Sequence, residues 1–243
     1  MIDALITVRS KSSRLPNKCF LKFGKTTVLE HVISRTLHSN MKPIICTTDK
    51  DEDKEIIKVA KNFNVNYFCG SEINKLKRWN DCCNYFNISS FHTIDADDPF
   101  FCTEEVQRSY DELLNGYDMV TPSPSSSNGG ATVGYSLTSK IINKACEILD
   151  DDTDTEMMWS FLENIKGIKI HELSDPDEYI ITERMTLDYI EDYLKLLEVL
   201  KLVGPLASRK EIFKCLSLHP ELNAINSFRN DEWKKNQEDK SFK

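Results

Sequence analysis

No apolar run in this chain approaches the roughly 20 residues that a membrane-spanning helix needs, which excludes an ordinary helical span. The opening Met1-Ile2-Asp3 is followed by neither a basic n-region nor a long apolar h-region. No secretory signal is expected, and the cytoplasm is the expected compartment. No paired C-x-x-C occurs among the eight cysteines, and Cys82 and Cys83 are adjacent. That pattern favours free thiols in a reducing compartment over a disulfide framework. Positive charge is also in short supply. Lys and Arg total 31 against 39 Asp and Glu, a net charge of −8. Affinity for DNA or RNA rests on neutralising phosphates, so a nucleic-acid partner is excluded. A small anionic ligand is not, because it needs only a local basic pocket. His92, His171 and His219 show no metal-ligand spacing, and no internal repeat is evident.

What is present begins with a core. With 243 residues, 40% of them hydrophobic, the chain has room for one large domain or two small ones. The first half alternates strand and helix. Residues 3–8 read as a strand, and 26–39 as a helix with Val28, Leu29, Val32, Ile33 and Leu37 on one stripe. A strand follows at 43–47, then a helix at 51–63 with Ile56, Ile57, Val59, Ala60 and Phe63 inward. The next elements are a strand at 65–68, a helix near 73–87 and a strand at 90–95. Such alternation predicts an α/β fold, a largely parallel sheet with helices on both faces. Residues 121–134, T-P-S-P-S-S-S-N-G-G-A-T-V-G, have the composition of a flexible loop or linker. Helices are expected near 137–149, 154–164, 188–202 and 207–217, with a strand near 167–173. The reading is one domain over 1–228, with an excursion at 121–185, and a polar, frayed tail over 229–243.

Directly after the first strand comes V-R-S-K-S-S-R-L-P-N-K, residues 8–18. Arg9, Lys11, Arg14 and Lys18 lie within ten residues, with Ser12 and Ser13 between them. A solvated basic loop is one reading. A grip for a polyanion is the other, and the position favours it, because ligands in such sheets sit beyond the carboxyl ends of the strands.

The pattern R-x-x-S-S-R-L-P-x-K resembles the signature of cytidylyltransferases that make CMP-activated sugars, of the spore-coat polysaccharide, CMP-Kdo and acylneuraminate synthetase type. The resemblance spans residues 2 to about 226. It implies a Rossmann-like mixed, largely parallel sheet and transfer of CMP from CTP to the hydroxyl of a keto-deoxy sugar acid, with Mg²⁺ and a homodimer. It implies catalytic roles on the triphosphate for Arg9, Arg14 and Lys18, and nucleotide contacts from Val8, Ser12 and Ser13. Asn17 stands where the family usually has Gly; Asn tolerates positive φ better than most residues.

Two acidic segments complete the set. In F-H-T-I-D-A-D-D-P-F-F, residues 91–101, three crowded acids make a cation a natural compensation, and a solvated strand-end turn is the plainer reading. The resemblance assigns a metal to Asp97, with Ala96 replacing the family Gly. In E-R-M-T-L-D-Y-I-E-D-Y, residues 183–193, it assigns Asp188 as the second metal ligand. By residue type Asp188 reads equally as a helix N-cap, with Glu191 three residues on. Thr48, Asp49, Gly70, Ser71 and Arg78 fall where the family places the nucleoside, although Arg78 suits a helix surface too. Lys77 departs from the family's usual Asp. Gly130, Glu156 and Arg184 fall on the acceptor side, where the match is loosest, and Arg184 suits a pair with a nearby acid as well as an anionic substrate. Met157, Met158, Trp159 and Phe161 suit a core or dimer contact as well as a sugar face. Two rival functions remain. A glycosyltransferase would consume a sugar nucleotide and need fewer cations than a triphosphate demands, and a non-catalytic nucleotide-binding module would turn nothing over.

Overall fold

The computed structural model describes residues 1–241. In chain order the elements are β1 (Asp3–Thr7), a hairpin of β2 (Lys22–Phe23) and β3 (Thr26–Thr27), α1 (Val28–His38), β4 (Lys42–Thr48), α2 (Lys54–Asn62), β5 (Asn66–Gly70), α3 (Lys75–Phe86), β6 (Ser90–Asp95), α4 (Thr103–Leu114) and β7 (Met119–Thr121). They continue with β8 (Ser136–Thr138), α5 (Ser139–Ile148), α6 (Trp159–Leu162), β9 (Ile170–Glu172), α7 (Ile190–Val203), α8 (Arg209–Leu218), α9 (Glu221–Ala224) and α10 (Asn230–Ser241). Seven strands form one sheet in the order β5-β4-β1-β6-β8-β7-β9. β5, β4, β1 and β6 run parallel, β8 is antiparallel to both neighbours, and β7 pairs with β9 in parallel. The sheet is therefore mixed and mostly parallel.

The strands are buried on both faces, which is why they read as continuous apolar runs rather than alternating ones. On β1, Ala4 and Ile6 face a layer with α1, α2 and α4, against Leu29, Val32, Ile33, Ile56 and Val106. Leu5 faces the other layer, against Leu76 and Trp79 of α3 and Ile141 and Ile142 of α5. A third cluster packs α7 and α8 onto Phe23 and Val28. Thr27 caps α1 through a capping box with Glu30, which fixes where that helix starts.

Several expectations need correction. Leu37 is 43% exposed, on the solvent side of its helix. Residues 137–138, expected as helix, belong to β8, and only 159–162 of the expected 154–164 helix is helical. The hairpin, α4 and β7 were not anticipated. The 121–134 segment is not a linker. Ser123, Ser126 and Thr132 are buried. Ser126 Oγ accepts from the amides of Thr132 and Val133 at 3.0 Å each and donates to the Val133 carbonyl at 2.9 Å. Serines here satisfy buried backbone groups, a use that composition does not reveal. The polar tail is not frayed from 230: Asn230–Ser241 is a helix with Trp233 buried. The part of that expectation falling on 242–243 lies outside the described residues. None of the described helices is long and apolar enough to cross a membrane, and the eight cysteines are free.

Candidate active site

The loop after β1 is anchored before it reaches the site. Asp53, buried at the start of α2, accepts the Ser10 amide and hydroxyl at 2.7 Å each and the Thr48 hydroxyl. This ties the loop to the end of β4, and sequence reading passed Asp53 over. Asn17 closes the loop in the left-handed region, φ 58°, with its amide donating to the Ser10 carbonyl at 2.9 Å. The Asn at this turn thus supplies the positive φ that Gly usually provides.

From this frame the cations reach across the strand ends. Lys18 Nζ lies 2.6 Å from Asp97 Oδ2 and 3.1 Å from Asp188 Oδ1, and donates to the Leu187 carbonyl at 2.8 Å. Arg14 Nη2 lies 2.5 Å from Asp188 Oδ1, and its buried Nε has no hydrogen-bond partner among the described residues. The Leu187 amide donates to the Asp97 carbonyl at 2.8 Å, so the two acidic segments, about ninety residues apart, meet through backbone as well as through Lys18. Arg9 pairs with Glu156 at 2.5 Å, while Lys11 stays exposed, 3.8 Å from Glu72. Arg9, Ser12, Arg14, Lys18, Asp97 and Asp188 all line one cleft of about 720 Å³, a common size for a small-molecule site.

The electrostatics follow from proximity. Burial opposes the Asp188 carboxylate, yet Lys18 and Arg14 outweigh it and hold its pKa well below the ordinary value. Lys18 is desolvated and still shifted upward, by Asp97 and then Asp188. Asp98 goes the other way, pushed well above the usual carboxylate range by burial and by Asp97 and Asp95. One carboxylate oxygen from each of Asp95, Asp97 and Asp98 lies within 4.8 Å of the others. Oxygen donors this close, beside Asp188 on the shared ammonium of Lys18, suit a hard divalent cation of the Mg²⁺ kind.

Not every anticipated residue arrives here. Arg184 is buried away from the cleft, its Nη1 on Asp192 Oδ2 at 2.7 Å and its Nη2 on the Asn226 carbonyl at 3.0 Å. Its acceptor role is corrected to a structural ion pair. Gly130 packs under backbone, where a Cβ would meet the Ser125 and Ile181 carbonyl oxygens at 2.6 and 2.7 Å, so Gly129 lines the cleft instead. Thr48 turns to Asp53, and the exposed Asp49 donates its amide to the Gly70 carbonyl at 3.2 Å. Arg78 lines the cleft, with Nη1 donating to the Ser71 and Glu72 carbonyls, so it shapes the loop after β5. Val8 and Ser13 line the cleft as anticipated in position. Asp188 does not cap α7. Asp192 does, accepting the Asp188 and Tyr189 amides at 2.9 and 2.8 Å. Trp233 of α10, outside every anticipated site, donates from Nε1 to Asp188 Oδ2 at 2.8 Å.

The cytidylyltransferase family profile matches residues 4–214, nearly the whole of this architecture. The chain belongs to the cytidylyltransferase family. It is accordingly a CTP-dependent nucleotidyltransferase. A cytidylyltransferase from Leptospira borgpetersenii shares the fold, with a TM-score of 0.77 at 22% identity over 91% of this chain and 95% of that one. A CMP:2-keto-3-deoxy-manno-octonic acid synthetase in complex with CTP superposes with a TM-score of 0.61 at 13% identity, over 82% and 98% of the two chains. An uncharacterized protein of Methanocaldococcus jannaschii is 29% identical over 93% of this cytidylyltransferase and 94% of its own length. The two structural likenesses speak to fold.

Proposed function

We propose that this cytidylyltransferase moves CMP from CTP to the hydroxyl of a keto-deoxy sugar acid, giving a CMP-sugar and pyrophosphate. The observation that carries the reading is the convergence of Arg14 and Lys18 on Asp97 and Asp188 at the mouth of the sheet. Phosphates would draw on the cations, and a metal on the acids. The acceptor hydroxyl oxygen bonds to the α-phosphorus, the bond from that phosphorus to the β-bridging oxygen breaks, and the hydroxyl proton passes to water. Arg14 and Lys18 hold the triphosphate and offset charge building on the leaving pyrophosphate. Asp97 and Asp188 would hold Mg²⁺, which supplies charge neutralisation and lowers the pKa of the attacking hydroxyl. Arg9 would join Arg14 and Lys18 on the phosphates, and Glu156, which pairs with Arg9, would accept from hydroxyls of the sugar. The sugar-acid class rests on the sequence resemblance and on the synthetase that shares the fold.

The test is a matrix of four nucleoside triphosphates against sugar acids, read by pyrophosphate release. CTP should be the substrate, and with Mg²⁺ it should stabilise the fold by about 2.7 kcal/mol at a hundredfold excess over its dissociation constant. No pyrophosphate from CTP with any sugar acid, or equal response to UTP, would overturn the assignment.

A further inference from the structure

Helix α10 is polar along most of its length, so hydrophobic burial alone does not explain why it docks. It is held to the segment that carries Asp188. Arg184 Nε donates to Asn230 Oδ1 at 3.1 Å, and Asn236 Nδ2 donates to the Tyr189 hydroxyl at 2.9 Å. Its one large apolar side chain, Trp233, is 8% exposed. The ring packs against the turn at Gly129, where a Cβ would lie in ordinary contact with it at 3.5 Å.

The indole is aimed at the site. Asp188 Oδ1 takes Lys18 and Arg14, while Oδ2 takes the Trp233 Nε1–H at 2.8 Å. Donors on both oxygens fix the carboxylate plane. We propose that Trp233 is a positioning residue: through this hydrogen bond, α10 orients the Asp188 carboxylate, which holds Lys18 and Arg14 and would hold Mg²⁺. The inference rests on the nucleotidyl-transfer reading of the cleft. A helix that served only as packing would need the ring but not its N–H.

The closing experiment separates those roles. Trp233→Phe keeps a large ring and removes the donor. Loss of an outer partner of a metal-binding carboxylate typically costs 10–100-fold. The expected result is a fall in kcat of about tenfold or more, a KM for CTP within about twofold of wild type, and a Tm within about 2 °C. The second measurement needs no turnover. The chain has three tryptophans, so its ¹⁵N-indole spectrum has three N–H signals to follow. Trp233→Phe identifies its own by deletion, and Asp188→Asn should shift that signal while the Trp79 signal, donated to Thr7 Oγ1, stays in place. An unchanged kcat in Trp233→Phe, or an indole signal blind to Asp188→Asn, overturns the proposal. A wild-type enzyme that releases no pyrophosphate from any triphosphate defeats the transfer reading instead, and the indole spectrum still decides the Trp233–Asp188 pair.

Discussion

Arg14 shows how much one side chain does here. It neutralises Asp188, lies 5.6 Å from the centroid of the Tyr189 ring and buries an Nε that has no partner among the described residues. In the proposed reaction its guanidinium, which lines the cleft, would also meet a phosphate oxygen. Arg14→Ala should therefore lower kcat/KM by about 1.5–3 kcal/mol, roughly tenfold to a hundredfold. Steady-state kinetics with CTP would show it, and an unaltered kcat/KM would confine Arg14 to its structural pair with Asp188. Asp188→Asn should reduce turnover by more than about a hundredfold. Helicity of α7 should persist in circular dichroism, because Asp192 accepts the helix-start amides. Retained Mg²⁺-dependent turnover would remove Asp188 from the metal site. Asn17→Gly should be tolerated, whereas Asn17→Val, β-branched at φ 58°, should lose stability in urea unfolding.

Elements in this fold are locked by a few buried polar groups. The start of α7 is one such lock. Arg184 and Asp192 are both almost fully buried and pair at 2.7 Å, with Asn226 Nδ2 donating to Asp192 Oδ1 at 2.9 Å. Removing one partner strands the other charge, which typically costs about 3–5 kcal/mol. Arg184→Met should show that loss in urea unfolding, with the acceptor KM changed little. A raised acceptor KM with an unmoved unfolding midpoint would return Arg184 to the acceptor side. The seam between β6 and β8 is another lock, where the sheet changes from parallel to antiparallel. There Gly134 lies so close to Thr93 that a Cβ would fall 2.1 Å from its carbonyl oxygen. His92 Nε2 accepts from the Gly134 amide at 3.3 Å, so its Nδ1 carries the proton and donates to Ser136 Oγ at 2.8 Å.

At the scale of the molecule, that histidine links folding to pH. Burial holds His92 neutral and lowers its pKa to about 3. The unfolded chain takes up this proton near pH 6.5, while the native state refuses it until about pH 3. Stability from this group is therefore full above pH 6.5 and is lost as pH falls, at up to about 1.4 kcal/mol per unit. The difference in unfolding free energy between wild type and His92→Gln should narrow from pH 7 to pH 4. A difference independent of pH would mean that His92 does not titrate as its burial requires.

The residues alone settled the things that depend on local pattern. Apolar runs separated by amphipathic helices can bury themselves only as a layered α/β sheet, so β1, β4, β5, β6, α1 and α3 were legible, and so was the cationic loop between β1 and α1. The 9–18 motif was legible because four cations on ten residues after the first strand stand out, and two of them, Arg14 and Lys18, meet Asp97 and Asp188. What depended on distant partners was not. Whether Asp188 capped a helix or faced the cleft was undecidable from residue type, since one carboxylate serves either purpose; the fold decided it by bringing Lys18 and Arg14 to Asp188 and giving the cap to Asp192. For Arg184 the residues left an anionic substrate and a nearby acid both open, and tertiary packing supplied Asp192. The serines of 121–134 looked like a linker until burial gave their hydroxyls backbone groups to satisfy. Trp233 carried no local signal at all, because its meaning lies in a hydrogen bond to a residue 45 positions away, and only chain folding sets such distances.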